Sequence, residues 1–242
     1  MLKQFIKHLL GISSESFLTR RDNILREYIR GSGLELGALH NPMKLPKGAR
    51  ASYVDRMNVD DLRKQYPELN GKNLVNVDII ADGERLAPVP DGSQDFVIAN
   101  HFLEHCQNPA AAIENMLRVL KHEGILFLAV PDKRFTFDKD RTSTAYEHLL
   151  KDYTAGPECS KTEHFTEWAQ KVDKVPDEQL AERVRQLQEL DYSIHFHVWT
   201  QAEIIELMLM LKKVFQFEIE LISQNAGEII VILRKTQRPA SP

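Results

Sequence analysis

Two imidazoles two residues apart are the most conspicuous chemistry in the chain. They lie in the run Ser193-Ile194-His195-Phe196-His197-Val198-Trp199. If that run is extended, His195 and His197 share one face and Phe196 takes the other. An imidazole can accept the proton of a hydroxyl nucleophile. The same spacing suits a metal, with His164 or Asp132 as a third ligand. Plain structural hydrogen bonding is the third reading. All three stay open, and no metal ligand set is assigned. His195, His197, His164 and Asp132 are thus the candidate catalytic residues, with His148 and His105 in reserve. In Pro131-Asp132-Lys133-Arg134-Phe135, Asp132 could accept a hydrogen bond from a substrate. Arg134 could hold an anionic group, or pair with Asp138 or Asp140. Tyr146, Tyr153, Trp168 and Tyr192 offer flat surfaces for a sugar, an aromatic acceptor or a small core.

A second group of polar residues sits at predicted strand ends. Leu34 to Pro42, LELGALHNP, reads as a short strand that leaves through one glycine into a polar turn. A pyrophosphate would call for GxGxxG opening a long helix. Here Gly37 is followed by Ala38, Leu39, His40, Asn41 and Pro42, and about fourteen residues separate the first two strands. That gap disfavours NAD or FAD, and the absence of GxxxxGK[ST] disfavours a P-loop enzyme. Asp55, closing the second strand, can accept both hydroxyls of a ribose. Asp82, soon after the third strand, could face an adenine amino group or simply cap a turn. Asn100 and His101 at the end of the fourth strand would lie across the same crevice.

The elements that must position these residues follow from periodicity. A helix is predicted over 18–30, stopped by Gly31 and Gly33. Strands follow at 34–36, Ala51 to Val54, Leu74 to Ile80 and Phe96 to Ala99. Asn58 caps a helix running to about Tyr66, and Asn108-Pro109 opens another. The latter ends at His122-Glu123-Gly124, with Gly124 suited to a left-handed cap. Ile125 to Val130 is apolar without alternation, so both its faces are covered. Thr200 with Glu203 forms a capping box, and Phe215 to Ile222 pairs with Glu228 to Leu233 as a hairpin. This predicts an α/β fold, a mostly parallel Rossmann-like sheet with a C-terminal antiparallel hairpin and helices on both faces. Residues 131–199 fit the alternation poorly, and only a helix from Asp177 to about Leu190 stands out. They read as an inserted lid or acceptor-binding segment between 31–130 and 200–235. Residues 1–30 form an N-terminal helical segment, starting with a short amphipathic helix, and 236–242 a polar tail.

Composition narrows the classes further. Of 242 residues, 43% are hydrophobic and 27% charged, and the formal charge of −4 gives no reason to expect a polyanion partner. Arg20, Arg21, Arg26 and Arg30 read as a solvated helix face. Two cysteines, Cys106 and Cys159, make no zinc or disulfide framework, which suits a reducing compartment and a cytoplasmic protein. No apolar stretch approaches the roughly 20 residues that span a bilayer. No GxSxG marks a hydrolase.

Several stretches together carry a resemblance: Leu34-Glu35-Leu36-Gly37, Tyr53-Val54-Asp55, the run from Leu86 to Val97, Leu103-Glu104-His105, and Arg118 to Gly124. In this order and spacing they resemble the class I S-adenosylmethionine-dependent methyltransferases over about residues 34–130. The resemblance implies S-adenosylmethionine as cofactor. Gly37, Ala38, Leu39 and His40 would lie along its methionine and ribose, with Asp55 on the ribose hydroxyls. Arg56 would sit beside the base and Asp82 near the adenine amino group. Asn100, His101 and His105 would wall the methionine portion. The expected reaction is methyl transfer to a small-molecule or glycan-derived acceptor, at oxygen. A non-catalytic cofactor-binding or partner subunit and a nucleic-acid methyltransferase remain as alternatives. The fourth strand's Ala99-Asn100-His101-Phe102 lacks the pattern of base-amino methylases, and oligomeric state is left open.

Overall fold

A computed structural model describes residues 14–237. The short amphipathic helix expected at the start of the chain, and the tail beyond residue 237, lie outside the described residues. Helix α1 (Ser14–Tyr28) leads into β1 (Ser32–Leu36), β2 (Arg50–Asp55), α2 (Val59–Gln65), β3 (Ile79–Ile80) and β4 (Gln94–Asn100). Next come α3 (Pro109–Val119), β5 (Leu120–Pro131), α4 (Tyr146–Ala155), α5 (Lys161–Lys171) and α6 (Asp177–Glu189). Helix α7 (Gln201–Leu211) and the hairpin β6 (Phe217–Asn225) and β7 (Glu228–Lys235) complete the fold. The seven strands run β3-β2-β1-β4-β5-β7-β6 across one sheet. The first five are parallel, while β7 is antiparallel to β5 and to β6.

Both sheet faces are covered, which is why β5 reads as an unbroken apolar run. Phe96, Ile98, Phe127 and Ile232 pack on one side with Ile24, Leu25 and Ile29 of α1. Val97, Ala99, Leu126, Leu128 and Val231 pack on the other with Ile113 and Met116 of α3 and Ile204 and Met208 of α7. A fully buried Phe127 or Leu126 contributes roughly 2 kcal/mol of apolar transfer energy. The predicted caps are present: Asn58 accepts from the Asp61 amide, Asn108 from the Ala111 amide, and Thr200 with Glu203 forms the capping box.

Several boundaries differ from expectation, each for a physical reason. The third strand shrinks to Ile79 and Ile80. Residues before it spend their amides outside a ladder, Val75 on the Leu39 carbonyl and Asp78 on that of Tyr53. Helix α3 ends at Val119 and β5 starts at once, so Gly124 is no helix cap. Glu123 takes the left-handed conformation with φ 63°. Gly124 is small for another reason, since a Cβ there would sit 2.9 Å from the Lys121 carbonyl oxygen. Arg20 and Arg21 are not merely solvated. Arg20 donates to Ser223 Oγ at 2.5 Å, and Arg21 pairs with Glu228 at 3.2 Å.

The inserted stretch holds three helices, where only α6 was legible. Helix α4 buries just Leu149 and Asp152, so it shows no apolar stripe. Helices α4 and α5 both lack a side-chain cap. Phe165, Trp168, Val184, Leu187, Ile194 and Phe196 give the insertion a small core of its own. Residues 191–199 then return to the sheet as a strap. Its Phe196 and His197 amides donate to the Glu104 carbonyl, its Val198 bonds Thr144, and Trp199 bridges Asp132.

Candidate functional site

Strand order places a switch point between β1 and β4: the chain winds outward through β2 and β3, then returns to build β4 and β5. Open α/β sheets bind ligands beyond the carboxyl ends of strands at such a point. A cleft of about 620 Å³ lies there. Gly37 and Leu39 enter it from β1, Asp55 and Arg56 from β2, Asp82 and Gly83 after β3, and His101 and Phe102 after β4. No helix follows β1, as its short, proline-bearing exit predicts. Gly37 leaves the strand at φ 60°, with its amide on the Val54 carbonyl. Leu39 and His101 adopt left-handed backbone without being glycine, at φ 49° each. Such strain collects where a site fixes the chain. Gly83 keeps room for Phe102, whose ring tip would lie 2.6 Å from a Cβ.

Charge in the cleft is mostly negative. Asp55 accepts the Arg56 amide at 2.7 Å. Burial raises its pKa, against the amides of Arg56 and Met57 and the Arg56 charge. Asp82 accepts the Glu84 amide, and the Glu84 carboxylate is spent on the Gln107 and Asn108 amides. Arg56 bonds Tyr66 and reaches Asp191 at 3.0 Å, tying the end of β2 to the strap. His101 Nε2 lies 2.9 Å from Glu228. Burial pulls the His101 pKa down, but the Glu228 hydrogen bond and the Glu104 and Glu228 charges outweigh it, and the net shift is upward. His105 Nδ1 meets the Ile194 carbonyl at 2.9 Å and Ser193 Oγ at 3.1 Å. Burial, reinforced by His195, lowers its pKa to about 3, so this imidazole is neutral at physiological pH.

Behind the cleft floor, Glu35 of β1 is buried, with one oxygen on the Met43 amide at 2.8 Å. Desolvation raises its pKa to about 7, against the Met43 hydrogen bond and the Arg21 charge. Between about pH 4.5 and 7 the folded chain keeps a proton that the unfolded chain releases. Stability therefore falls as pH rises through that window, by up to about 3 kcal/mol, and levels above it. Glu35→Gln keeps an acceptor for Met43 and loses the ionisation. Urea unfolding at a series of pH values is expected to show a flatter profile for this variant, which is the more stable protein at pH 8.

Of the residues expected at a cofactor, Gly37, Leu39, Asp55, Arg56, Asp82, His101 and His105 line one cleft. Three do not. Ala38 borders a small neighbouring pocket, His40 bonds Asn41, and Asn100 accepts from Arg21. The candidate catalytic set disperses. Asp132 is fully buried and held by Arg134, which thereby pairs with neither Asp138 nor Asp140. The strap is no strand, and its imidazoles part company: His195 bonds Asp138 at 2.7 Å, while His197 joins His148 and His164. None of His195, His197, His164 and Asp132 lines the cleft. Phe196 does, whereas Trp199 belongs to the main core. Tyr66, Glu68, Phe102, Gln107 and Ser193 line it without having been anticipated, and Tyr192 was singled out only as a flat surface. Phe102 was within reach as the residue after a strand-end pair, but Tyr66, Glu68 and Ser193 depend on how α2 and the strap fold back.

Residues 36–128 match the family model described as a methyltransferase domain. An uncharacterized protein of Methanocaldococcus jannaschii is 32% identical over 108 residues, which are 45% of this chain and 48% of that protein. The match thus spans about half the length of that curated relative. A solved chain from the complex between the Haloferax volcanii Trm112 methyltransferase activator and a methyltransferase superposes with TM-score 0.52. Its identity is 13%, covering 94% of this chain and 93% of that one. A Rhodobacter sphaeroides structure described as a Zn-dependent alcohol dehydrogenase gives TM-score 0.51 at 15% identity, covering 98% and 97%. Two such different descriptions on one architecture show why these likenesses speak for fold alone. Among the described residues no helix is long and apolar enough to cross a membrane. Residues 36–128 thus match a methyltransferase domain, and the strand order and the cleft at the switch point agree with that match.

Proposed function

We propose that the protein transfers a methyl group from S-adenosylmethionine to a hydroxyl of a small, polyhydroxylated acceptor such as a glycan-derived metabolite. The observation that carries the reading is the convergence of Gly37, Asp55 and Asp82 on one cleft. Asp55 is assigned the ribose hydroxyls, Asp82 the adenine amino group, and Gly37 with Leu39 the close backbone approach to the methionine part. His101 and His105 wall that part. The cleft carboxylates repel polyanions, which disfavours nucleic acid, and suit hydroxyl donors. Tyr192 and Phe196 add aromatic side chains, of the kind that pack on sugars, to the cleft lining.

S-adenosylmethionine supplies an electrophilic methyl on a sulfonium. The protein's work is alignment, water exclusion and proton handling. The strap covers the acceptor side, held to β2 through Arg56 and Asp191. Of the histidines, His105 lines the cleft in uncharged form and is assigned to orient the acceptor hydroxyl by a hydrogen bond, since burial leaves it too weakly basic to take the proton. Its Nδ1 is anchored by Ile194 and Ser193, and His195 acts as a positioning residue behind it, ring to ring at 4.7 Å.

Calorimetric titration with S-adenosylmethionine and its demethylated product, followed by transfer from methyl-labelled cofactor to fractionated metabolites, tests both halves. Saturable binding and label in a small-molecule fraction, in a linkage that survives mild alkali as an ether does, are the expected results. Label in nucleic acid would overturn the acceptor class. Absence of cofactor binding would overturn the whole reading.

A further inference from the structure

One cluster outside the cleft is used by nothing above. His148 and Asp152 are one helical turn apart on α4, so they share a face. His164 projects from the first turn of α5, and His197 comes from the strap. One donor atom from each of these four residues falls within 4.8 Å of the other three. We infer that His148, Asp152, His164 and His197 bind a single zinc ion in a closed tetrahedral site that ties helices α4 and α5 of the inserted segment to its strap.

The geometry is that of a coordination sphere. Zinc holds nitrogen and oxygen donors at about 2.0–2.1 Å, which sets the edges of its tetrahedron near 3.4 Å. The edges recorded here are 3.0 Å for His148 Nε2 to His164 Nε2, 3.2 Å for His148 Nε2 to Asp152 Oδ2, and 3.8 Å for His197 Nε2 to Asp152 Oδ2. Adjustments of a few tenths of an ångström suffice to seat an ion.

Hydrogen bonding alone leaves this cluster unsatisfied. Asp152 is fully buried, and its Oδ1 accepts from Ser160 Oγ at 2.6 Å. Its Oδ2 is aimed into the imidazoles, yet no hydrogen bond reaches it among the described residues. A buried carboxylate oxygen without a partner is costly, and a cation coordinated there removes the cost. Ser160 then acts as an outer partner that fixes the carboxylate rotamer, as outer partners of metal ligands do. Trp199 stacks on His197 at 5.8 Å and 24°, and Phe196 meets His164 edge-on, so two ligand rings are held in place.

Donor chemistry selects the ion. Three imidazoles and one carboxylate suit zinc or cobalt, while magnesium and calcium prefer oxygen. Four protein donors leave no open position, so the ion carries no reaction step. Its effect is mechanical. His197 follows directly on Phe196, a cleft residue. A metal here would hold the strap at the cleft wall. The inference does not rest on the methyl-transfer reading.

Elemental analysis of the full chain purified from zinc-supplemented cells is expected to give close to one zinc per chain. Chelator-stripped protein titrated with cobalt should develop the intense visible bands of four-coordinate cobalt. Stripping should lower the melting midpoint by about 5–15 °C, with recovery on adding zinc and none on adding magnesium. His148→Gln, at the half-buried ligand, and Asp152→Asn should each abolish the cobalt bands, while His122→Gln, an exposed histidine elsewhere, should not. Sub-stoichiometric zinc with no cobalt spectrum overturns the inference. So does unchanged metal binding in both ligand variants, or a preference for magnesium. Cofactor binding measured on the same samples keeps this outcome separate from the fate of the functional reading.

Discussion

Asp55→Ala is expected to weaken S-adenosylmethionine binding by about two orders of magnitude. A hydrogen bond to a charged group contributes roughly 1.5–3 kcal/mol, and the proposed ribose contact uses two hydroxyls on one carboxylate. Each 1.4 kcal/mol is a factor of ten in affinity. Asp55→Asn keeps one acceptor oxygen, so its loss should be nearer tenfold. The folded protein itself should be little affected. Burial already raises the Asp55 pKa, so the charged carboxylate is a strain on the apo fold rather than a support. Titration calorimetry on both variants, with melting curves alongside, separates the two effects. Wild-type affinity in Asp55→Ala would remove the ribose assignment and with it the orientation of the cofactor in the cleft.

Arg141→Ala is expected to cost about 3–5 kcal/mol of stability, the largest effect of any single change considered. The guanidinium is fully buried and wholly committed. It pairs with Asp138 at 2.8 Å and Glu167 at 2.9 Å, and it donates to the His195 and Phe196 carbonyls. It also lies over the Trp168 ring at 5.9 Å. Removing one partner from a buried charge network leaves the remaining charges uncompensated, which is the source of that magnitude. Asp138 would keep its contact with His195 but lose the Arg141 guanidinium. Because Arg141 holds the backbone of the strap at residues 195 and 196, the variant should also lose order at Tyr192 and Phe196, and with it part of the cleft wall. Urea unfolding followed by tryptophan fluorescence gives the free energy. Arg141→Lys should recover some of the loss, as it restores charge but not the planar fork. A change below about 1 kcal/mol in Arg141→Ala would show that the insertion's apolar core alone secures the strap.

Much of this protein could be read from local pattern. The unbroken apolar stretch from Ile125 to Val130 implied a strand covered on both faces, and Ile232 with Phe127 on one side and Val231 with Leu128 on the other meets that expectation. Caps at Asn58, Asn108 and Thr200 depend on contacts within three residues, so they were visible without any tertiary knowledge. Strand ends also declared themselves. Gly37, Asp55 and Asp82 each follow a short apolar run, and parallel pairing carries all three to the same edge. What composition and spacing determined, then, was the sheet, its hairpin and the residues at its carboxyl edge.

Only the tertiary structure decided what the histidines do. His195 and His197 are two residues apart, yet one turns to Asp138 and the other to a cluster built from α4 and α5. That separation follows from the strap's non-ladder path over Arg141 and Glu104. The helices that supply His148, Asp152 and His164 were themselves hard to see, because they lack side-chain caps and bury a polar residue where an apolar one would announce a core. Local spacing encodes which face a side chain takes only when the backbone is regular. Where long-range contacts bend the chain, as at residues 191–199, the partners of each imidazole are set by the packing of elements distant in sequence.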